Sequence, residues 1–180
     1  MQYAIVCYFD EETEKVIQKL IDHVAETSGN EYMVHAKIPP HITVCSVDSE
    51  EEKQLISKMD DLMTNMDCGQ VCWPSIGIFN PSVLFLTPVL NEYLHKLNQT
   101  INQKLMPVAK AGDNGNYLPF HWIPHTAIAT RLTEEQLKKA FEVVQSEFTP
   151  FAGKINRFVL ARSNPYKEVK IWELPYKSVS

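Results

Sequence analysis

Apolar side chains recur at helical spacing in four stretches of the chain. Over residues 11–28, Val16, Ile17, Leu20, Ile21, Val24 and Ala25 form one stripe, with Asp10 suited to cap the start and Gly29 the end. Residues 50–66 do the same with Leu55, Ile56, Met59, Leu62, Met63 and Met66, behind a capping-box pattern of Ser49 and Glu52. A third helix is predicted to open at Thr87-Pro88, a cap followed by proline at the first helical position, and to carry Leu90, Tyr93, Leu94, Leu97, Ile101 and Leu105. The fourth opens at Thr133, with Gln136 three places on, and buries Leu137, Ala140, Phe141, Val144 and Phe148. Seven shorter runs have strand character: 2–9, 41–47, 70–79, 82–87, 125–130, 155–162 and 169–174. Pro74 interrupts the third of these and predicts a bend or an edge there.

The order of these elements repeats. Residues 1–79 read β-α-β-α-β, and residues 82–162 read β-α-β-α-β again, followed by one extra strand. A Pro-His pair opens the second strand of each half, in "PPHITV" (39–44) and "IPHTAI" (123–128). The capping residues Ser49 and Thr133 each fall eight places after their His. Agreement in element order, motif position and cap offset predicts a duplicated unit. The expected architecture is α/β (α+β): one bilobal domain over 1–180, its lobes related by a pseudo-twofold axis around a central cleft. Lobe one covers about 1–80 and lobe two about 81–180, with strand exchange between them allowed. Halves of this size are not expected to be strongly stable alone.

Composition narrows the function. With 44% hydrophobic residues and a net charge of −5, the chain can bury an ordinary core but lacks the basic balance of a protein held to nucleic acid by bulk charge. Any contact with RNA must be local and brief. Cys7, Cys45, Cys68 and Cys72 form no C-x-x-C pair and read as reduced thiols. No basic n-region precedes the first apolar run, and no stretch approaches the ~20 apolar residues of a membrane span. A cytoplasmic, monomeric protein with no membrane partner is expected.

Strand alternation sets the faces of the two motifs. His41, Thr43 and Cys45 share one face, and Ile42 and Val44 the other, toward the helices. His125, Ala127 and Ala129 then face as His41 and Thr43 do. A twofold axis would bring the two histidine faces together across a groove. Two imidazoles with pKa values near ~6.5 suit paired acid–base chemistry, one neutral and one protonated.

In these residues the chain resembles the two-histidine (2H) phosphoesterase superfamily, in particular its bacterial RNA 2′,3′-cyclic phosphodiesterase and 2′-5′ RNA ligase-like branch. The resemblance covers nearly the whole chain, including the duplication and the motif separation. It implies metal-independent, cofactor-free attack on RNA-derived 2′,3′-cyclic phosphate or 2′-5′ phosphodiester bonds, with a reverse 2′-5′ ligase activity also in view. RNA ends or small cyclic nucleotides would occupy the cleft. It implies His41 and His125 as catalytic residues and Thr43 as a phosphate ligand. For hydrolysis His125 is the base toward water and His41 the acid toward the leaving oxygen. The second hydroxyl of the family's paired H-x-[T/S]-x motifs is missing: that position is Ala127, which offers only its backbone. Three readings stay open. Another group fills the role, a β-bulge turns Thr126 into the cleft, or the site is degenerate and binds a nucleotide or RNA end without turnover.

The long loop 107–124 leads into His125, and its Tyr117, Phe120 and Trp122 are candidates for stacking on a base. Arg162, beside the final hairpin that also carries Tyr166, is a further phosphate candidate. His121 and His125 are four apart, a metal-ligand spacing on a helix. Pro124 and the loop setting argue against that use, and no metal is expected. Lys37, His23, His35 and His95 show no partner pattern.

Overall fold

The computed structural model describes residues 1–79 and 81–174. Its strands are β1 (Gln2–Phe9), β2 (His41–Asp48), β3 (Gly69–Trp73), β4 (Ser75–Phe79), β5 (Val83–Thr87), β6 (Lys110–Ala111), β7 (Thr126–Ala129), β8 (Phe151–Ser163) and β9 (Tyr166–Glu173). The helices are α1 (Glu11–Ser28), α2 (Tyr32–Ala36), α3 (Glu52–Met63), α4 (Glu92–Leu105) and α5 (Glu134–Glu147). The strands form two antiparallel sheets, one ordered β3-β8-β1-β2-β6 with β9 beside β8, the other β4-β5-β7. None of the described helices is long and apolar enough to cross a membrane.

The first and last helices form where their capping signals stand. Asp10 accepts from the Thr13 N–H and Gly29 closes α1 in the left-handed region. Thr133 and Gln136 complete a capping box at α5. The other two helices are shorter than expected. At α3 the capping box does not form, because Glu52 turns to Arg162 and Tyr3 while the Ser49 Oγ accepts from the Glu51 N–H. Thr87 stays in β5, and α4 starts only after Asn91, whose side chain accepts from Leu94 N–H.

The duplication lies in the strands. Pro74 splits the third run, and its two parts join different sheets. In one sheet β1 lies between β2 and β8; in the other β5 lies between β7 and β4. Each motif strand therefore pairs with the first strand of its half, and a strand from the opposite half flanks that pair. The two sheets do not coincide with the two halves of the sequence. Each motif strand also carries a one-residue bulge three places after its His, at Val44 in β2 and at Ile128 in β7. The helices follow the same exchange, with α4 against β2 and α3, and α1 against β7 and α5.

The bulges correct the expected faces. Beyond Val44 the alternation slips, so Cys45 lies with Ile5 in the core and its thiol reaches Asn102 on α4. Ala129 is carried into the core in the same way.

Candidate active site

His41 opens β2, and His125 stands one residue ahead of β7. Both rings are anchored alike. The His41 Nδ1 lies 2.8 Å from the Pro39 carbonyl oxygen, and the His125 Nδ1 lies 2.9 Å from that of Ile123. A carbonyl only accepts, so each Nδ1 carries a proton and each neutral ring keeps its lone pair on Nε2. Burial lowers the pKa of both rings; the anchoring carbonyls oppose the shift, and at His41 the charge of His125 adds to it. His41 therefore lies within range of a charge on His125.

Thr43 lies on the His41 face, paired across the sheet with Val6, as His41 is with Tyr8. In the second motif the partner of Ala127 is Phe85, which packs against Phe79 with ring centroids 4.2 Å apart. Both Phe rings stand edge-on to His125. A large side chain thus faces a small one where the first motif pairs Val with Thr.

Thr126 does not reach the cleft. It occupies the core position that Ile42 holds in the first motif, both fully buried, and its Oγ1 accepts from Trp73 Nε1 at 3.2 Å. The bulge comes two residues too late to turn it outward. Arg162 is also elsewhere. It pairs with Tyr3, five residues along β1 from the Tyr8 that faces His41, about 17 Å at strand spacing. There both its Nε and its Nη2 bind Glu52.

Loop 107–124 is fastened along β2. Gly112 N–H donates to Ser46, Trp122 Nε1 donates to the Thr43 carbonyl at 3.0 Å, and buried Asn98 and Asn102 both donate to the Tyr117 carbonyl. Asn98 also donates to the Val44 carbonyl, at the bulge. A cavity of about 460 Å³ opens here, lined by His125, Phe79, Tyr117, His121 and Trp122. Tyr117 lies against His125 at 6.4 Å between centroids, and its hydroxyl is within reach of the Thr43 side chain. Trp122 is pinned in place by its buried ring and its bond to Thr43. Phe120 does not line the cavity: it is 83% exposed and its ring leans on His95. His121 and His125 share the cavity, but no group of three or more His, Cys, Asp or Glu among the described residues could hold a metal.

One cluster has no signal in the sequence pattern of either motif. On the His41 side, the Tyr8 hydroxyl donates to Glu168 at 2.6 Å and shares a 2.5 Å bond with the Tyr166 hydroxyl. The Tyr166 ring stacks beside His41 at 6.5 Å, and Tyr8 meets His41 edge-on. Burial raises the pKa of both phenols, so they stay protonated. Only the alternation of β1 and β9 hints at this cluster, because its two tyrosines are 158 residues apart in sequence.

The family model for the 2′-5′ RNA ligase superfamily matches residues 10–166. The chain belongs to this superfamily. Solved structures of the superfamily type superpose over nearly the whole molecule. TT0787 of Thermus thermophilus is 15% identical with a TM-score of 0.65, covering 97% of this chain and 98% of that one. E. coli LigT complexed with ATP is 16% identical with a TM-score of 0.57, and LigT complexed with 3′-AMP is 15% identical with a TM-score of 0.54, each covering 97% of this chain and 98% of the other. At such identity these likenesses establish the shared fold. No curated protein sequence matches the chain. Membership of the 2′-5′ RNA ligase superfamily supports a phosphoesterase-type activity in general terms.

Proposed function

We propose that this member of the 2′-5′ RNA ligase superfamily cleaves RNA-derived 2′,3′-cyclic phosphate or 2′-5′ phosphodiester bonds by two-histidine acid–base catalysis, acting as a monomer in the cytoplasm. The matched anchoring of His41 and His125 carries this reading. With Nδ1 committed to a carbonyl, the neutral ring presents a basic Nε2 and the protonated ring an acidic Nε2–H. In hydrolysis His125 takes a proton from water as the water oxygen bonds to phosphorus. The P–O bond to the leaving ribose oxygen breaks, and His41 delivers its proton to that oxygen. Mutual repulsion suits the pair to this division, because a proton on one ring disfavours a second on the other. Thr43 donates to a non-bridging phosphoryl oxygen. The ligating direction exchanges the roles of the two rings.

The nucleotide-bound LigT structures are consistent with a nucleotide in the equivalent cleft. The experiment is hydrolysis of 2′,3′-cyclic nucleotides, cyclic-phosphate-ended oligonucleotides and 2′-5′ dinucleotides with chelator present. Turnover by the wild type and its collapse in His41→Ala and His125→Ala are expected. Wild type and variants equally inactive across the panel would overturn the proposal. Tight nucleotide binding without turnover would favour the alternative, a binding module whose second motif is degenerate at Ala127.

A further inference from the structure

We propose that the Tyr117 hydroxyl takes the place of the hydroxyl missing at Ala127 and donates to a non-bridging phosphoryl oxygen held between His41 and His125. The inference rests on the phosphoesterase reading above and adds a catalytic residue that the paired motifs do not contain.

Three observations converge on Tyr117. First, it joins the two motifs: its ring lies 6.4 Å from His125, and its hydroxyl is within reach of the Thr43 side chain on the His41 strand. It also lines the cavity beside His125. Second, its backbone is held unusually firmly for a loop residue. The Tyr117 carbonyl accepts from Asn98 Nδ2 at 2.9 Å and from Asn102 Nδ2 at 3.1 Å. Both asparagines are buried, and Asn98 spends its other amide hydrogen on the Val44 carbonyl at 2.8 Å. The loop position of Tyr117 is thus tied to the bulge that follows Thr43. A donor fixed before substrate arrives needs no reorganisation as charge develops. Third, the sequence position that ordinarily carries the hydroxyl holds none, because it is Ala127. Ala127 faces Phe85 across the sheet, and Phe85 lies so close over Gly77 that a Cβ there would come within 2.5 Å of its ring. Phe79 and Phe85 form an aromatic wall on this side and offer no donor, while Tyr117 lines the cavity with a hydroxyl to give.

The phenol is also in the right protonation state. Burial, with Asp113 nearby, pushes its pKa up to about 12, so it remains a donor throughout the working range of the two histidines.

The test is a double-mutant cycle on 2′,3′-cyclic nucleotide hydrolysis with chelator present. Tyr117→Phe removes only the oxygen, and an unchanged thermal midpoint shows that the loop still docks. Loss of one donor to a developing charge is expected to lower kcat about 10²-fold with little change in KM. In the Ala127→Ser background, a hydroxyl stands at the motif position, and the same Tyr117→Phe step is expected to cost about tenfold less. An equal loss in both backgrounds, or no loss in the first, would overturn the role given to Tyr117. Such a result with turnover still lost in His41→Ala and His125→Ala would leave the two-histidine reading standing. A wild type without turnover on cyclic nucleotides, cyclic-phosphate-ended oligonucleotides and 2′-5′ dinucleotides alike would overturn both.

Discussion

His41 and His125 are held by the same bond, each giving its Nδ1–H to the carbonyl oxygen two residues before it, at 2.8 Å and 2.9 Å. The proline in each motif, Pro40 or Pro124, sits between the ring and that carbonyl. Proline restricts the residue before it to extended backbone, which disposes the carbonyl for this bond. The Pro-His pair is therefore a device for fixing a tautomer, and its recurrence in both halves gives both rings the same free nitrogen.

A charge on His125 lowers the pKa of His41, so the protonation of the two rings is linked. His125→Ala is expected to raise the pKa of His41 toward the ordinary value of 6.5, because a repelling charge is removed while the Pro39 anchor remains. NMR titration of the His41 ring protons reads this. An unchanged His41 pKa would mean that the two rings do not sense one another.

Both rings hold protons less readily in the folded chain than in the unfolded one. The sign follows from linkage. Above about pH 6.5 neither state is protonated and the rings cost nothing. Below it the unfolded chain binds protons that the folded rings resist, so stability falls. Urea unfolding at about pH 5 and about pH 7 should show this loss, and a variant lacking both imidazoles should show less of it.

Thr126→Val is expected to cost about 1–3 kcal/mol of stability, because it leaves the buried Trp73 N–H without its acceptor. Cyclic-nucleotide turnover should be retained in the fraction that folds. A variant as stable as the wild type but inactive would return Thr126 to the site.

Arg162→Ala is expected to leave kcat/KM within about threefold, since its guanidinium binds Glu52 far from His41. Steady-state kinetics decide it, and a large rise in KM would restore a phosphate role.

Much of the fold is legible in the chain, and the exceptions share a cause. The caps of α1 and α5, the motif positions and the core stripe of α1 depend on neighbours a few residues apart, and they stand as read except for Val16, which lies at the edge of the stripe and is exposed. Glu52 has the sequence of a capping partner but is taken by Arg162, 110 residues away. The alternation of β2 and β7 holds for three residues and then slips at a bulge, which nothing in "HITVCSV" or "HTAIAT" announces. The exchange of β4 and β8 between sheets, and the meeting of Tyr8, Tyr166 and Glu168, depend on tertiary packing alone. Of the two capping boxes that suggest a duplication, only the second forms. The matched bulges and anchored rings are its better evidence.

The measurement that bears most directly on the paired histidines is the pH dependence of kcat/KM for 2′,3′-cyclic nucleotide hydrolysis. A neutral base gives a rate that rises with pH, and a protonated acid gives one that falls. With both rings lowered by burial, the wild-type profile is expected to be a bell with its maximum below about pH 6.5, and His41→Ala and His125→Ala should each lose one limb. A profile that is flat between about pH 5 and about pH 8, or a bell that survives unchanged in both variants, would contradict the account.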